Sequence, residues 1–392
     1  MLRLAFIVSH PIQYYVPLYR RLAKRNDLQI KVFFTWHGGE VAQFDSGFKK
    51  AIAWDIPLAD DYEYEVAPNT SRRPGTNHFF GLRNPSLIKD VLAWKPDVVH
   101  LTGYAYHSHL GAMRTLAKRG VPLLFRGDSH LLDERQTGPR WLLKRALLSK
   151  IYSWPSAFPY VGQANREYYR AFGVPEAKLF YCPHSIEVER FAEPELEWEA
   201  QARAWRHQLQ ISDDARVLLF AGKFEDKKRP VPLMDAFLKC APPKTILVMV
   251  GDGVHGEAVR KLASRHPEHF RVLPFQNQSQ MPVVYRLGDW VVLPSAYGET
   301  WGLAVNEAMA CGRPALVSDR VGCHPDLIRP GVNGQVFRGD DWVDFCKKLE
   351  SMPSTGDDRR RQEIKTWARN WSIEETEESL TAASWHLTAG MH

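Results

Sequence analysis

Short apolar runs alternate with longer amphipathic stretches along almost the whole chain. The runs are rich in Val, Ile, Leu and Phe, which is typical of strands buried on both faces of a parallel sheet. One series of predicted strands covers residues 4–9, 30–36, 98–102, 123–126 and 157–161. A second series covers residues 217–222, 246–250, 272–275, 291–293 and 315–318. Strands separated by helix-length segments predict βαβ units.

The two series predict two α/β domains with Rossmann-like parallel sheets. A chain of 392 residues is too long for one ordinary core. The stretch 183–199 is polar and acidic, so we place the domains at residues 1–190 and 191–370. Residues 371–392 have a helical pattern, with Ser372 as the expected cap. Because ligands bind outside the carboxyl ends of parallel strands, we expect the site in a cleft between the domains.

The composition is that of a globular protein in solution, with 44% apolar and 24% charged residues. The formal net charge is +6, and the excess of positive charge lies in residues 1–195. A basic amino-terminal half suits an anionic acceptor or an anionic membrane surface. An ordinary imbalance of surface charge is the alternative interpretation.

The cysteine pattern predicts a reducing compartment. The five cysteines are odd in number, widely spaced and without a C-x-x-C pair, which argues against a disulfide framework or a zinc site. Met1 is followed by an apolar strand rather than by a leader peptide, and no apolar run reaches the ~18 residues that span a bilayer. We therefore expect a cytoplasmic protein, at most peripheral to the inner face of the cell membrane.

Two glutamates flank the start of a predicted helix in the second domain. Glu299 lies in a glycine-containing turn after the strand 291–293, and Glu307 follows eight positions later, about two turns further along, in a predicted helix over 303–311. Helix N-termini favour anions, so an acid at this entrance needs a specific partner. A ligand with both a diphosphate and hydroxyl groups would use all of these parts.

A basic loop follows the first strand of the second domain. Gly222 allows the backbone to turn, and Lys223, Lys227, Lys228 and Arg229 place positive charge at the end of the strand. Such a cluster could neutralise a diphosphate leaving group. The alternative is a solvated basic loop. No D-x-D pair occurs, so the sequence provides no metal clamp for a diphosphate.

The first domain carries several histidines near strand ends. Its first loop, residues 9–14, lacks the G-x-G-x-x-G fingerprint, so a dinucleotide role is unsupported. His10, His107, His109 and His130 fall in or near strand-end loops, where any single histidine is more often structural than functional. His130 is the main candidate, and Asp128 in the same loop competes with it for the same role.

Residues 140–154 form a predicted helix that is both basic and apolar, with tryptophan at each end. This composition suits a helix at a membrane interface. The alternative, a helix packed on the core with solvated Lys and Arg side chains, is the commoner case.

Several segments of the second domain resemble one enzyme family. Residues 299–307 resemble the E-x7-E motif of retaining glycosyltransferases of the family-4 type (glycosyl transferases group 1), which have the GT-B fold. Residues 222–228 resemble the G-R-L-x-x-x-K segment of that family, and other landmarks match at 250–253, 310–319 and 332–334. In the amino-terminal half only residues 9–14 and 183–191 are recognisable. The resemblance implies an α/β GT-B architecture of two Rossmann-like domains, with parallel sheets that face a central cleft.

The resemblance also implies a role for each part of the chain. Residues 1–190 would bind the acceptor, residues 191–370 the nucleotide sugar, and the helix over 371–392 would cross back to the first domain. The implied catalytic residues are Lys228, Glu299 and Lys223, with His130 or Asp128 facing the sugar. The implied donor-binding residues are Gly222, Lys223, Lys228, Phe275, Gln276, Glu299, Thr300, Trp301, Gly302, Leu303 and Glu307. His10, Gln13 and His107 are the acceptor candidates.

The activity implied is transfer of a sugar from a nucleotide diphosphate to a hydroxyl of a saccharide or lipid-linked saccharide, in polysaccharide or glycolipid synthesis. The anomeric configuration would be retained, without metal or other cofactor, and no nucleic acid partner is expected. Alternatives are a GT-B sugar-nucleotide epimerase and an inactive sugar-nucleotide-binding subunit. The chain departs from the family at Lys223, where Arg is usual, at Trp301, where Phe is commoner, and at Ser9-His10, which replaces a glycine-rich loop.

Overall fold

A computed structural model describes residues 1–36, 43–45, 50–52, 54–352 and 357–389. The strands are β1 (Leu2–Val8), β2 (Leu28–Phe34), β3 (Gln43–Asp45), β4 (Lys50–Ile52), β5 (Tyr64–Val66), β6 (Val98–Thr102), β7 (Leu123–Arg126), β8 (Phe158–Tyr160), β9 (Leu179–Tyr181), β10 (Arg216–Ala221), β11 (Thr245–Val250), β12 (Phe270–Leu273), β13 (Trp290–Leu293), β14 (Ala315–Ser318) and β15 (Gly334–Phe337).

The helices are α1 (Val16–Ala23), α2 (Leu87–Ala93), α3 (His107–Lys118), α4 (Pro139–Tyr152), α5 (Gln163–Ala171), α6 (Val188–Ala192), α7 (Glu195–Gln208), α8 (Pro230–Cys240), α9 (Gly256–Arg265), α10 (Met281–Leu287), α11 (Leu303–Ala310), α12 (His324–Leu327), α13 (Trp342–Glu350), α14 (Asp358–Ala368) and α15 (Ile373–Ala389). Short 3₁₀ turns cover Phe79–Gly81, Glu176–Lys178, Asp226–Lys228 and Arg369–Trp371.

The chain forms two compact units. Unit 1 comprises Met1–Gln43, Ile56–His184 and Ile373–His392, and unit 2 comprises Phe44–Asp55 and Ser185–Ser372. The boundary falls at 184/185, whereas the sequence placed it at 190/191. The short segment 44–55 belongs to unit 2, which the sequence did not predict. The terminal helix α15 belongs to unit 1, where Leu380 and Ala383 join an apolar core with β1 and β2.

The main sheet of unit 1 is parallel, with the strand order β5-β2-β1-β6-β7 in the described residues. The strands β1, β6 and β7 are buried almost throughout, as their apolar runs predict. Apolar side chains cover both faces of the sheet, which is the layering expected when helices flank a parallel sheet. The predicted strand at 157–161 is β8, and it pairs with β9 in a separate two-stranded sheet.

The main sheet of unit 2 is also parallel, in the order β12-β11-β10-β13-β14-β15 within the described residues. Every predicted strand of this domain is present. The edge strand β15 was missed because it is short and includes Gly334 and Gln335, which are not apolar. The carboxyl ends of β10, β12 and β13 lead into the loops that hold the predicted donor residues.

One disulfide joins Cys240 at the end of α8 to Cys346 in α13, with Cα atoms 5.6 Å apart. The sequence argued against disulfides, and for this pair it was wrong because the two residues are 106 positions apart and no local motif marks them. Cys182, Cys311 and Cys323 are buried thiols. Burial raises the pKa of Cys311 to about 11. Among the described residues, no helix combines the length and apolarity needed to span a bilayer.

Candidate functional site

The start of α11 depends on a glycine. Gly302 has a φ of 101°, in the region that favours glycine, and immediately precedes α11. A Cβ atom on Gly302 would lie 2.8 Å from Val321 Cγ1 and 2.9 Å from Leu293 Cδ2. No larger residue fits without displacing its neighbours, so the packing fixes where α11 begins relative to β13.

The loop before α11 is held by backbone hydrogen bonds to the loop after β14. The N–H of Gly322 donates to Glu299 O at 2.9 Å, and the N–H of Cys323 donates to Trp301 O at 2.9 Å. Inside the loop, the indole N–H of Trp301 donates to Asn306 Oδ1 at 2.9 Å. The predicted donor residues 299–303 therefore lie together at the start of α11, on a rigid backbone.

Glu299 forms an ion pair with Lys228. Their side chains are only 13% and 15% exposed, and Ser295 Oγ donates a hydrogen bond to the same carboxylate at 2.9 Å. Burial alone would raise the pKa of Glu299, but the Lys228 ammonium and the Ser295 hydroxyl lower it, and the net shift is downward. Glu299 is therefore an anion held beside a cation at the start of a helix.

Lys228 reaches this position through a backbone contact. The 3₁₀ turn that contains it follows β10, and the N–H of Ala296 donates to Lys227 O at 2.8 Å. The two loops that carry the ion pair are thus joined next to it. Lys228 and Glu299 are 71 positions apart in the chain, and the structure brings their side chains together.

Glu307 is buried on α11, with only 3% of its surface exposed. The hydroxyl of Tyr285, on α10, donates to Glu307 Oε2 at 2.5 Å. Tyr285 is itself 1% exposed, so this bond is made inside the protein. Sequence analysis missed Tyr285 because it lies in an apolar helix that carries no recognisable motif.

The loops after β10 and β11 are in direct backbone contact. Gly251 has a φ of 148°, and a Cβ atom there would lie 1.9 Å from Gly222 O. The N–H of Gly222 donates to Val250 O at 3.0 Å, and that of Phe224 donates to Asp252 O at 2.8 Å. These contacts place Lys223 at the carboxyl edge of the sheet.

Three of the four basic residues of this loop form ion pairs with different acidic residues. Lys227 is 3.4 Å from Glu225, and Arg229 forms two hydrogen bonds of 2.9 Å with Asp340. Lys228 is the one of these three that forms the ion pair with Glu299 in the described residues. The sequence suggested that the basic residues of 223–229 bind a diphosphate together. Arg229 instead pairs with Asp340, so its side chain points away from such a cluster.

Phe275 and Gln276 follow β12, as predicted. Gln276 Nε2 donates to Pro274 O at 3.1 Å. The ring of Phe275 lies 6.5 Å from that of Trp54, and the backbone N–H of Ser279 donates to the Asp55 carboxylate at 3.2 Å. Trp54 and Asp55 come from a segment far away in sequence, so their place beside this loop could not have been foreseen.

In unit 1, the loop that carries Asp128 and His130 is braced by α5. The Tyr169 hydroxyl bonds both the N–H and the C=O of Gly127, at 2.8 and 3.0 Å, and Asn165 Nδ2 donates to Ser129 O at 2.8 Å. His130 is 7% exposed, and its Nδ1 accepts the N–H of Leu132 at 3.2 Å. The loop is therefore rigid, and Asp128 on it is half-buried.

The acceptor candidates lie at two places in unit 1, the loop after β1 and the start of α3. His10 Nδ1 is 2.9 Å from Ser9 Oγ, and burial lowers the pKa of His10. Gln13 is half-buried in the same loop. His107 begins α3, and its ring packs against the rings of Phe79 and Phe80.

His109, one of the histidine candidates, is a core residue in the structure. It is fully buried, its Nδ1–H donates to Thr102 O at 3.0 Å, and its Nε2 therefore accepts from Thr35 Oγ1 at 3.0 Å. Burial lowers the pKa of His109 to about 4 and, aided by Arg126, that of His100 to about 3. Both rings are neutral and structural. Within the described residues, no group of three or more His, Cys, Asp or Glu side chains is arranged to hold a metal ion.

Two family models match the chain. The model of the glycosyl transferases group 1 matches residues 201–371, and that of a glycosyl transferase 4-like domain matches residues 63–184. Residues 201–371 therefore form a domain of the glycosyl transferases group 1. The first match includes Lys228, Glu299 and Glu307, and the second includes Asp128 and His130.

Curated relatives are similar over part of their length. D-inositol 3-phosphate glycosyltransferase of Actinosynnema mirum is 32% identical over 223 residues, which are 53% of this chain and 51% of that protein. The chain spans about half the length of the curated relatives it matches.

Solved structures match over nearly the full chain. Anabaena HepE in complex with UDP has a TM-score of 0.72 at 15% identity and covers 97% of this chain and 99% of its own. A glycosyltransferase of Rickettsia africae has a TM-score of 0.72 at 12% identity and covers 98% of both chains. At these identities the likeness shows the fold, which is the GT-B fold of two Rossmann-like domains.

Proposed function

We propose that this protein transfers a sugar from a nucleotide diphosphate donor to a hydroxyl group of a saccharide or lipid-linked saccharide. Retention of the anomeric configuration and independence of metal ions are parts of the proposal. The observation that carries it is the buried ion pair between Lys228 and Glu299 at the start of α11. The matched family and the GT-B fold support the same class of reaction.

The ion pair suits a ligand that brings both negative charge and hydroxyl groups. The Lys228 ammonium and the first N–H groups of α11 can stabilise the diphosphate, because both present positive charge at one place. The Glu299 carboxylate is ionised, so it can accept hydrogen bonds from sugar hydroxyls. When the donor binds, Lys228 exchanges part of its contact with Glu299 for contact with phosphate.

Glu307 is assigned to the ribose of the nucleotide. A carboxylate can accept hydrogen bonds from two neighbouring hydroxyls through its two oxygens. In this protein Tyr285 already bonds one of these oxygens at 2.5 Å and so fixes the orientation of the carboxylate. Tyr285 is thus a positioning residue for the donor site.

The chemical step needs no protein nucleophile. The bond between the anomeric carbon and the phosphate oxygen breaks, and its electron pair stays on the diphosphate. The acceptor oxygen forms the new bond on the same face of the sugar and passes its proton to the departing phosphate oxygen. Lys228, Lys223 and the N-terminus of α11 stabilise the charge that develops on the leaving group.

The comparisons suggest which donors to test first. Structures of Anabaena HepE have been solved in complex with UDP and glucose and with UDP-glucose, and the curated relatives are named D-inositol 3-phosphate glycosyltransferase. We therefore place UDP-sugars first among the donors. Asp128 and His130 of unit 1 are assigned to the transferred sugar, and His10, Gln13 and His107 to the acceptor.

The test is a thermal-shift screen of nucleotide sugars, followed by mass analysis of products with free and lipid-linked saccharides. We expect one donor class to raise the melting temperature and to yield a glycosylated product with retained configuration, read from the coupling of its anomeric proton. Activity should persist in EDTA. The Glu307→Ala variant should lose donor binding, whereas Glu350→Ala, on a distant helix of unit 2, should not.

Three outcomes would overturn the proposal. An isomerised sugar released without any acceptor would identify an epimerase. Donor binding without turnover on every acceptor would identify an inactive binding subunit. Inverted configuration at the anomeric carbon of the product would exclude attack by the acceptor on the same face of the sugar.

A further inference from the structure

Helix α4 carries apolar side chains on two opposite faces. Its inner face is part of the core of unit 1, where Leu148, Ile151 and Tyr152 are buried. The ring of Trp141 packs against Phe172 on the same side, with centroids 5.1 Å apart. These contacts fix the orientation of the helix, so the opposite face is turned to solvent.

The outer face of α4 is formed by leucines. Leu142, Leu143 and Leu147 are 63%, 73% and 58% exposed. At 3.6 residues per turn, Leu142, Leu143 and Leu147 fall within about 140° of one another around the helix, so they form a single apolar stripe with Ala146 between them. Grouped exposed leucines of this kind mark an interaction surface, whereas single ones do not.

The apolar stripe is bordered by cations. Arg140, Arg145 and Lys150 are exposed, and α4 contains no acidic residue. In the part of the chain that the structure describes, none of the three forms an ion pair. Lys144 is different, because it is turned inward to Glu134 and to the rings of α5.

A leucine elsewhere in the chain shows that a high exposed fraction alone does not mark an interaction surface. Leu196 on α7 is 86% exposed, but it stands alone between Glu195 and Glu197. The α4 stripe combines grouped leucines with a border of one sign of charge.

We propose that the outer face of α4 docks on the surface of an anionic lipid membrane. Leu142, Leu143 and Leu147 insert among the lipid head groups, and Arg140 and Arg145 bind lipid phosphates. Charge complementarity selects this occupant over a second copy of the chain, because a symmetric contact through α4 would bring the same cations together. The interaction needs neither donor nor acceptor, so it stands independently of the proposed reaction.

The test is co-sedimentation of the full chain with vesicles, without substrates. One set consists of equal parts of phosphatidylglycerol and phosphatidylcholine, and the other of phosphatidylcholine alone. We expect binding to the first set that weakens as salt is added. The double variant Arg140→Gln/Arg145→Gln should lose about fivefold in affinity per charge, and the triple variant Leu142→Asn/Leu143→Asn/Leu147→Asn at least about tenfold.

The controls separate docking from folding and from catalysis. Leu196→Asn should bind vesicles as the wild type does, and every variant should keep the wild-type thermal transition because the changed side chains are exposed. The triple variant should retain transfer to an acceptor without a lipid. Equal binding to both vesicle types, or wild-type binding by the triple variant, would overturn the proposal. So would a concentration-dependent dimer that the triple variant abolishes.

Discussion

The buried Glu299 of unit 2 and the buried His100 and His109 of unit 1 differ in charge state. In unit 2 the buried Glu299 stays ionised, because Lys228 and Ser295 offset the cost of burial. In unit 1 the buried His100 and His109 stay neutral, because no acidic partner faces them in the described residues and burial disfavours their charged forms. The partners around a buried group decide whether it keeps its charge.

The contacts around these buried groups also differ between the two units. The charged site of unit 2 is surrounded by close backbone contacts at Gly302 and Gly251, which leave no room for a side chain. The histidines of unit 1 are instead built into the core and bond to carbonyl and hydroxyl groups. In the proposed function the first arrangement presents charge to the donor, and the second stabilises the sheet of unit 1.

The largest effect is expected from removing the charge of Glu299. Glu299→Gln keeps the shape of the side chain but ends its ion pair with Lys228 and its strongest hydrogen bonds to the sugar. We expect kcat for sugar transfer to fall about 10²- to 10³-fold, as for the loss of one strong electrostatic contact. Asp340→Asn, which breaks the exposed pair with Arg229, is the matched control. An active Glu299→Gln variant would contradict the role of the ionised group.

Acid should destabilise the two units in different pH ranges. The pKa values of His100 and His109 lie at about 3 and about 4 in the folded chain, below their ordinary 6.5, so the unfolded chain takes up protons first. The contribution of these two neutral histidines to the free energy of unfolding is complete above pH 6.5. It is lost as the pH falls towards 4, by about 1.4 kcal/mol per pH unit for each histidine. Glu299, with its pKa below the ordinary 4.5, loses its contribution only below that pH.

Hydrogen exchange read by mass spectrometry measures this difference segment by segment. Strand β6 of unit 1 should exchange faster as the pH falls from 6.5 to 4, after correction for the intrinsic exchange rate, while β13 of unit 2 stays protected. The His109→Gln variant should show a shallower dependence. An equal pH dependence of exchange in β6 and β13, or no pH dependence in β6, would show that His100 and His109 are not buried in their neutral form.

A smaller effect is expected from Tyr285. Tyr285→Phe removes the hydrogen bond that orients Glu307, so the donor should bind about tenfold more weakly, with KM for the donor raised more than kcat is lowered. Tyr297, an exposed tyrosine of the same unit, provides the control Tyr297→Phe. An unchanged KM would remove Tyr285 from the donor site.

The smallest effect is expected from Arg229. Although it adjoins Lys228 in sequence, its side chain forms a half-exposed pair with Asp340, and such pairs contribute about 0–1 kcal/mol. Arg229→Gln should leave sugar transfer within about twofold of wild type. A loss comparable to that of Glu299→Gln would restore the interpretation of one diphosphate-binding cluster.

The sequence predicted the elements that depend on local pattern. Every predicted strand is present because apolar runs between polar turns need no distant partner to be recognised. The predicted helix after residue 302 is also present, with Glu299 before it and Glu307 on it. What it could not predict depends on residues far apart in the chain. Tyr285 beside Glu307, Arg229 with Asp340, and the Cys240–Cys346 disulfide carry no local signal.

In the proposed function, Lys228 and Glu299 form the charged part of a sugar-donor site. The most direct measurement is the single-turnover rate of sugar transfer from saturating donor, compared between Lys228→Met and Lys239→Met, which removes an exposed cation on α8. We predict that Lys239→Met transfers sugar at the wild-type rate and that Lys228→Met is slower by about 10²- to 10³-fold. Equal rates in the two variants would contradict the account.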